Sequence, residues 1–215
     1  MLRVHEKGKR MAKVLNSGIA AISLLSLLFL CGCGASRPPN YYILHSLQSE
    51  APGAVKAGAD NDLSIGVGPI KIPEYLDRPQ MATRSTPNRI QFAEFDKWAE
   101  SLEKDLTRVL AENLSILLST DRVVVFPWPE SMHVLYQVTV DVAKLDYTPD
   151  GKATLVAGWS VFGDDGRKLL AMKRSRLTVP VQSTGFEAVA SAQSRAVEDM
   201  SREIAACIES LPPAP

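Results

Sequence analysis

The chain has 215 residues, with 24 basic and 24 acidic side chains, a formal net charge of zero and an apolar fraction of 46%. This composition is typical of a globular protein, so it excludes a mostly disordered chain and offers no basic excess for binding nucleic acid. Three cysteines are too few for a disulfide scaffold, and the length suits one domain or two small ones.

The two ends of the chain differ in charge. Residues 1–32 contain five basic residues and one acidic residue, a net charge of +4, which leaves 19 basic against 23 acidic residues in the remainder. A twelve-residue apolar run, Ile19–Leu30, follows the basic residues. As a helix this run would span about 18 Å, well short of the ~30 Å core of a bilayer. The basic leader and the short apolar run predict a lipoprotein-type signal peptide over residues 1–32.

The leader ends in Leu30-Cys31-Gly32-Cys33. This segment resembles the lipobox of bacterial lipoproteins, in which a small residue stands directly before the modified cysteine. Cys33 fits because Gly32 precedes it, whereas bulky Leu30 precedes Cys31. The resemblance implies that Cys33 is the lipid anchor: its sulfur takes a diacylglyceryl group, and an acyl chain such as palmitate caps the new N-terminus. Two or more chains hold a protein stably at a membrane. Gly34, rather than aspartate, follows Cys33. Resemblance to the sorting rule of enterobacterial lipoproteins then implies the periplasmic face of the outer membrane.

A second interpretation of the leader is an uncleaved membrane helix from about Val14 to Ala35. Polar Asn16 and Ser17 make such a span only marginally hydrophobic. In the lipoprotein interpretation, Cys207 is the only free thiol. Its position on the apolar stripe of a predicted helix indicates a buried, unreactive side chain.

Residues 33–62 are predicted to form the lipidated N-terminus and a linker, with a short strand near Tyr41–Leu44. The linker composition is rich in Ala, Gly, Pro and Asp from residue 49 to 62. About seven residues separate Cys33 from the strand, and fully stretched they reach about 25 Å. A docked strand would therefore hold the domain close to the membrane.

Residues 63–215 are predicted to form a single domain. It begins with strands at Leu63–Val67 and Arg89–Phe92, separated by a Pro-bounded extended stretch up to Arg84. An amphipathic helix follows, with Asp96 as its N-cap. Its apolar stripe repeats at three- and four-residue steps: Trp98, Leu102, Leu106, Val109, Leu110, Leu114 and Leu117.

The second half of the domain is predicted to form a meander and a closing helix. After a short buried strand, Val123–Phe126, turn sequences join three long strands at Val134–Val142, Thr154–Phe162 and Lys168–Val179. A capping box at Thr184–Glu187 opens the last helix, which stops before the tail Pro212–Pro215. The predicted fold class is α/β (α+β): a mixed, largely antiparallel sheet with an antiparallel C-terminal meander, covered by two main helices.

Chemical motifs are weak throughout the chain. Gly66-Val-Gly68-Pro69 is not a phosphate loop, because Pro69 has no N–H to donate and no helix follows. The acid pairs Asp60-Asn-Asp62 and Asp164-Asp165 lack EF-hand spacing, and His45 and His133 are predicted to be surface side chains. We therefore expect no catalytic residue, no metal site and no cofactor, and interpret the protein as not an enzyme.

A basic cluster lies in the otherwise acidic body. The simplest interpretation is an edge strand that positive charge protects from pairing with other chains. The alternative is contact with anionic lipid headgroups or with an acidic partner surface. The cluster consists of Arg167, Lys168, Lys173, Arg174 and Arg176.

Taken together, several segments resemble the PqiC/YmbA-type ABC-transport auxiliary lipoproteins over about Tyr41 to Leu211. The segments are Gly66–Gln80, Phe95–Leu102, Arg108–Leu114, Phe126-Pro-Trp128 and Trp159 within its strand. Lys97 and Ser101 depart from the family pattern, where Arg and Pro are usual.

The resemblance implies a non-enzymatic envelope protein that works with an MCE-domain protein and an inner-membrane ABC transporter in moving lipid between membranes. It also implies docking on the MCE partner at the outer membrane, and a possible homo-oligomer. The residues alone leave two alternatives open: a stand-alone lipid-binding or structural envelope lipoprotein, and an envelope hydrolase with a scattered site.

Candidate partner-binding residues lie in the extended segment before Arg84. Tyr75, Leu76 and Arg78 place aromatic, apolar and cationic side chains side by side, a mixture enriched at protein interfaces. The alternative interpretation is structural: Tyr75 and Leu76 fill the core, and Arg78 pairs with Asp77 or with an acidic residue of a helix.

Overall fold

The structure is a computed structural model that describes residues 37–48, 63–129 and 131–211. The predicted signal peptide, Cys33, most of the linker and the tail Pro212–Pro215 lie outside the described residues. The described residues form eight strands and two helices, in the order β1 (Asn40–Tyr42), β2 (Ile65–Lys71), β3 (Gln80–Thr86), β4 (Arg89–Trp98), α1 (Leu102–Leu117), β5 (Val123–Val125), β6 (Tyr136–Thr148), β7 (Lys152–Gly163), β8 (Lys168–Pro180) and α2 (Phe186–Glu209).

Strand β6 organises the sheet. It pairs with β2 in parallel and, near its end, also with β3, while antiparallel β7 pairs with it and is followed by antiparallel β8. Strand β5 adds to β2, and β1 and β3 pair with the two edges of β4. The predicted fold class is confirmed: the sheet is mixed, its longest pairings are the antiparallel meander β6–β7–β8, and two helices pack on it.

Side chains of the meander strands alternate between the two faces of the sheet, and one of these faces lies against the hydrophobic core. Leu155, Ala157, Trp159 and Val161 of β7 are all 2% exposed or less and belong to one apolar cluster with both helices. Helix α1 packs against β2, β5 and α2, and α2 packs against β7 and β8. Small residues in α2, including Ala192 and Ala196, are fully buried, which lets the helix approach its neighbours closely.

Residues 44–47, which follow β1, form a strap across the two helices. Buried polar side chains hold its backbone: the N–H of Leu44 donates to Asp105 Oδ2 (2.6 Å) and that of Leu47 donates to Asn113 Oδ1 (2.7 Å), both on α1. The N–H of His45 donates to Ser194 Oγ of α2 at 3.1 Å. The Leu44 side chain is fully buried. The strap therefore joins the N-terminal strand to both helices.

Helix α1 begins later than its apolar spacing predicts. Asp96 is not an N-cap; it lies in β4, where its carboxylate accepts hydrogen bonds from Asn40 and Tyr42 of β1, both at 2.9 Å. Trp98 is buried, as its place in the stripe suggests, but it enters the core from the end of β4. Pairing with β1 and β3 extends β4 beyond the predicted Arg89–Phe92, and the N-cap position is Ser101.

Helix α2 begins without the predicted capping box. Its N-cap position is Gly185, at φ 106°, and no side chain caps the first turn. The helix starts at Phe186, so Thr184 stands one residue too early for its hydroxyl to reach the free N–H groups. The predicted burial of Cys207 on this helix is confirmed, with 6% of the residue exposed.

Strand β6 runs six residues past its predicted end at Val142, to Thr148. Its register with β7 shifts between Val142 and Lys144, so Ala143 is the extra residue of a bulge. A bulge interrupts the alternation of apolar and polar residues, which is why the sequence pattern ends there. Leu145 then returns to the core at 1% exposure.

Candidate functional site: a cleft between helix α1 and strand β5

A cleft of about 540 Å³ lies between α1 and the layer formed by β2 and β5. Its size falls in the range of small-molecule sites. The lining residues come from three separated parts of the chain: Gly68, Pro69 and Ile70; Glu103, Lys104, Thr107, Arg108, Ala111 and Glu112; and Val125, Phe126 and Pro127. One wall is thus mainly apolar, whereas α1 supplies charged groups.

The apolar wall is exposed to solvent. Val125 at the end of β5 is 45% exposed, and Phe126 directly after it is 48% exposed. Strand β5 has β2 as its pairing partner among the described strands, so its other edge is free. Large apolar side chains beside a free strand edge are typical of surfaces that bind an apolar or extended partner.

Two glycines of β2 allow this wall to sit close to the sheet. A Cβ added to Gly66 would lie 2.4 Å from Cη2 of Trp128. Gly68 has φ +116°, and a Cβ there would lie 2.8 Å from Cβ of Phe126. The Phe126 N–H donates to the Val67 carbonyl at 2.9 Å, and the Phe126 and Trp128 rings pack edge to face, 5.7 Å apart. Both glycines therefore serve close packing of the cleft wall.

We predict that Gly66→Ala displaces Trp128 from β2. The added methyl group cannot share the space of the indole, so the free energy of unfolding should fall by about 1–3 kcal/mol and the tryptophan emission should shift to the red. Gly158→Ala is the matched control, because a Cβ at that strand position meets no heavy atom within 4 Å. An unchanged emission maximum in Gly66→Ala would contradict the packing described above.

The charged rim of the cleft is centred on Arg108. Its guanidinium contacts Asp105, lies 3.2 Å from Glu112 and 3.6 Å from Glu100, and donates to the Leu44 carbonyl at 3.1 Å. Burial raises the pKa of Asp105 above 3.8, against the lowering effects of the Leu44 N–H and of Arg108. Since Arg108 is engaged by three acids, the rim offers a mixture of charges rather than a strong cation site.

The predicted partner-binding residues do not line the cleft. They lie in the connection between β2 and β3, where Leu76 is 4% exposed and packs in the core. Tyr75 is half-buried, and its hydroxyl donates to Asp146 Oδ1 at 2.8 Å. Arg78 is exposed and does not extend to a helix; its guanidinium lies 4.1 Å from the centroid of the Phe92 ring. This segment therefore presents Arg78 outward and uses Tyr75 and Leu76 to hold its position.

Asp146 is the centre of the contacts that hold this segment. Its carboxylate is 1% exposed; besides Tyr75 it accepts from Arg84 Nε of β3, and Lys144 Nζ lies 3.7 Å away. The Arg84 guanidinium lies 5.7 Å from the centroid of the Tyr75 ring. Two cations and a phenol thus compensate one buried carboxylate, which joins strands β3 and β6 to the β2–β3 connection.

Tyr75 should ionise at unusually high pH. Burial, followed by the hydrogen bond to Asp146, raises its pKa from 10.0 to about 12. The stability that this shift contributes is fully present below pH 10 and is lost as the pH rises through about 12. An ultraviolet titration at high pH should show a late tyrosine component that disappears in Tyr75→Phe. A titration curve identical for the two proteins would contradict the prediction.

The remaining sequence candidates lie on the surface or outside the described residues. Cys33 belongs to the latter. His45 is exposed, and the His133 side chain is 78% exposed with Nδ1 2.9 Å from Asp165 Oδ2, an interaction that lowers the pKa of Asp165. Within the described part of the chain, no group of three or more His, Cys, Asp or Glu residues could hold a metal ion.

The basic cluster lies on and beside an edge strand, as its first interpretation expects. Among the described strands β8 pairs with β7 alone, and Arg174 and Arg176 are exposed on it. Arg167, in the preceding turn, pairs with Asp164 at 2.6 Å, and Lys173 Nζ lies 5.7 Å from the centroid of the Trp159 ring. Four of the five cluster residues therefore lie on a long edge strand, and Arg174 and Arg176 face solvent.

Sequence reasoning missed the cleft. It predicted a strand at Leu63–Val67 and another at Val123–Phe126, without bringing the two together. The signal available was the placement of two glycines two residues apart, which puts both on one face of β2. Nothing in the local sequence states that an aromatic segment nearly 60 residues later covers that face.

Comparison with known proteins gives a consistent result. The structure resembles the crystal structure of an uncharacterized protein, with a TM-score of 0.65 and 19% identity over 80% of this chain and 99% of the other. It also resembles protein XCC0632 from Xanthomonas campestris, with a TM-score of 0.63 and 18% identity over 77% of this chain and 92% of the other. These likenesses concern the fold. No curated protein matches the sequence.

Two further findings bear on the class of protein. Neither helix in the described ranges combines the length and hydrophobicity needed to cross a membrane. The sequence model for the ABC-type transport auxiliary lipoprotein component matches residues 45–205, which include the cleft, helix α1 and most of helix α2. The chain therefore belongs to the family of ABC-type transport auxiliary lipoprotein components.

Proposed function

We propose that this lipoprotein is a non-enzymatic accessory of an ABC/MCE-type system that moves lipid between membranes. In this proposal, Cys33 carries the lipid that anchors the chain to the periplasmic face of the outer membrane. The folded domain docks with an MCE-domain partner, which links it to the ABC transporter, and it self-associates at that membrane. The family supports the auxiliary role in ABC-type transport.

The observation that carries the docking proposal is the cleft. Eight of its twelve lining residues lie in three of the segments that carry the resemblance to the PqiC/YmbA-type proteins: Gly66–Gln80, Arg108–Leu114 and Phe126-Pro-Trp128. These segments are distant in sequence but meet at one place. Exposed Val125 and Phe126 and the free edge of β5 give that place the character of a protein-binding surface.

The β2–β3 connection supplies a second contact in this proposal. Arg78 and Asp77 are exposed there, while Tyr75 and Leu76 hold the backbone through Asp146 and the core. A fixed backbone lowers the entropic cost of binding, because fewer conformations are lost when the partner arrives. Arg78 is then the contact residue, and Tyr75 and Leu76 position it.

The docking proposal is tested by photocrosslinking in intact cells. The photoreactive residue benzoylphenylalanine replaces Phe126, and in a matched control it replaces Met172, which is 69% exposed on β8. We expect a crosslink to an MCE-domain protein from position 126 that is absent from position 172. Equal yields from both positions, or no such product from position 126 in membranes that contain the partner, would contradict docking at the cleft.

The membrane part of the proposal has its own test. Cys33→Ala should remove the protein from the outer-membrane fraction. The intact mass should show acyl groups on the wild type and none on the variant. Wild-type protein without acyl groups would contradict the anchor, whatever the crosslinks show.

A second candidate function is a stand-alone lipid-binding module, and the apolar wall of the cleft is the observation in its favour. If this wall binds an acyl chain, native mass spectrometry of the protein extracted from membranes should detect bound lipid. Phe126→Glu should remove that lipid, because a carboxylate in the cleft opposes burial of a hydrocarbon chain. Retained lipid in Phe126→Glu would exclude the cleft as the lipid site.

A further inference from the structure

Two large apolar side chains are exposed at the start of the folded domain. Tyr41 is 61% exposed and Ile43 is 54% exposed. Along this extended segment they alternate with Tyr42, which is half-buried and packs against the core, and with Leu44, which is fully buried. Since side chains alternate in an extended chain, Tyr41 and Ile43 point away from the domain on the same side.

The backbone that carries these side chains is held firmly. Strand β1 pairs with β4, and the Tyr42 hydroxyl donates to Asp96 at 2.9 Å. The strap that follows is fixed by Asp105 and Asn113 of α1 and by Ser194 of α2. Exposure of Tyr41 and Ile43 is therefore not the consequence of a loose chain end.

The neighbouring charge is of the sign that suits a lipid surface. Lys97 of β4 is the register partner of Tyr41 and is half-exposed. A lysine keeps its ammonium group at the level of lipid phosphates while its hydrocarbon stem lies along apolar neighbours. Tyrosine is likewise enriched where a membrane meets water, because its ring is apolar and its hydroxyl is polar.

A short segment of chain joins this surface to the proposed lipid anchor at Cys33. Eight residue steps join Cys33 to Tyr41, a reach of at most about 29 Å. We propose that Tyr41 and Ile43 insert into the headgroup region of the bilayer that holds the Cys33 lipid, with Lys97 at the phosphate level. This inference rests on the proposed lipid anchor, and it adds a second, non-covalent attachment that orients the domain on the membrane.

The test uses the full-length mature protein in phosphatidylethanolamine–phosphatidylglycerol vesicles. Tyr41→Trp and Ile43→Trp are compared with Met172→Trp, and the wild type supplies the background of the native tryptophans. Interfacial side chains lie about 5–10 Å into the headgroup–acyl boundary, so bromine-labelled lipids should quench the first two at least about twofold more than the third. Their emission should also shift to the blue on addition of vesicles.

The outcomes separate the inference from the anchor. Intact mass is recorded for every sample. Acylated protein in which Tyr41→Trp and Ile43→Trp are quenched no more than Met172→Trp overturns the inference and leaves the anchor standing. A missing acyl group overturns both. The emission of Tyr41→Trp and Ile43→Trp is also recorded without vesicles. If it shifts to the blue as the protein concentration rises, the surface binds a second copy of the chain and the inference is overturned.

Discussion

Asp105→Ala should lower the free energy of unfolding by about 2–4 kcal/mol and break one of the two hydrogen bonds that hold the strap to helix α1. The Asp105 side chain is 1% exposed and accepts the backbone N–H of Leu44 at 2.6 Å. Removal of the carboxylate leaves the buried Leu44 N–H without an acceptor, which costs about 1–3 kcal/mol. It also removes a buried ion-pair partner of Arg108. Chemical denaturation measures the first effect, and hydrogen exchange at Leu44, His45 and Leu47 measures the second.

Asp105→Asn separates the hydrogen bond from the charge. The amide oxygen still accepts from Leu44, so exchange in the strap should stay close to that of the wild type. Burial raises the pKa of Asp105 above its ordinary value of 3.8, so its contribution to stability is fully present below pH 3.8 and is lost as the pH rises through the raised value. The wild type should lose stability relative to Asp105→Asn over that window. Parallel pH profiles would contradict the assignment.

Asp146→Ala should destabilise the protein by a similar amount, about 2–4 kcal/mol, through a different part of the fold. The variant leaves Arg84 and the Tyr75 hydroxyl without their common acceptor, and removal of one partner of a buried ion pair is strongly destabilising. Because the Arg84 side chain is 22% exposed, water can solvate its unpaired guanidinium. The expected loss of unfolding free energy therefore stays below the largest values measured when a buried ion pair is broken. Thermal and urea unfolding report the change.

The matched control for Asp146→Ala is Asp150→Ala. Asp150 accepts a hydrogen bond from Thr148 Oγ1 and forms a surface pair with Lys152 at 2.9 Å, with both charged side chains 56% exposed, so its removal should shift the unfolding midpoint far less than Asp146→Ala does. Asp146→Ala should also return the Tyr75 ionisation towards pH 10, because the acceptor that favours the neutral phenol is gone. A variant as stable as the wild type would show that Asp146 does not hold the β2–β3 connection.

Local periodicity was sufficient for the meander and for the existence of both helices. It placed the start of α1 too early, because Trp98, Leu102 and Leu106 keep a four-residue spacing although Trp98 ends strand β4 and Leu102 begins the helix. Pairing of β4 with two other strands decides that boundary, and such pairing is not encoded in the spacing. In β6 the failure has the opposite cause: one extra residue, Ala143, ended a pattern that the strand itself continues.

The site was less accessible to sequence reasoning than the fold. Cys33 is indicated by its immediate neighbours, whereas the cleft exists only once β2, α1 and the residues around Phe126 are brought together. The carboxylates that hold the strap and the β2–β3 connection, Asp105 and Asp146, have no distinguishing signal in the sequence, because an exposed helix face and an exposed strand face both commonly carry acids. Burial distinguishes them, and burial is a property of the tertiary structure.

The strap has a mechanical consequence for an anchored protein. With the lipid attached at Cys33, a tensile load between membrane and partner enters the domain at β1 and passes next to the backbone bonds of Leu44, His45 and Leu47. These bonds end on side chains of two different helices, so the force divides between α1 and α2 rather than peeling one strand from the sheet. Yielding at the strap would uncover the fully buried Leu44 while the meander stays folded. Because Arg108 donates to the Leu44 carbonyl, the same event would loosen the rim of the cleft, so a load on the N-terminal end would be transmitted to the proposed docking site.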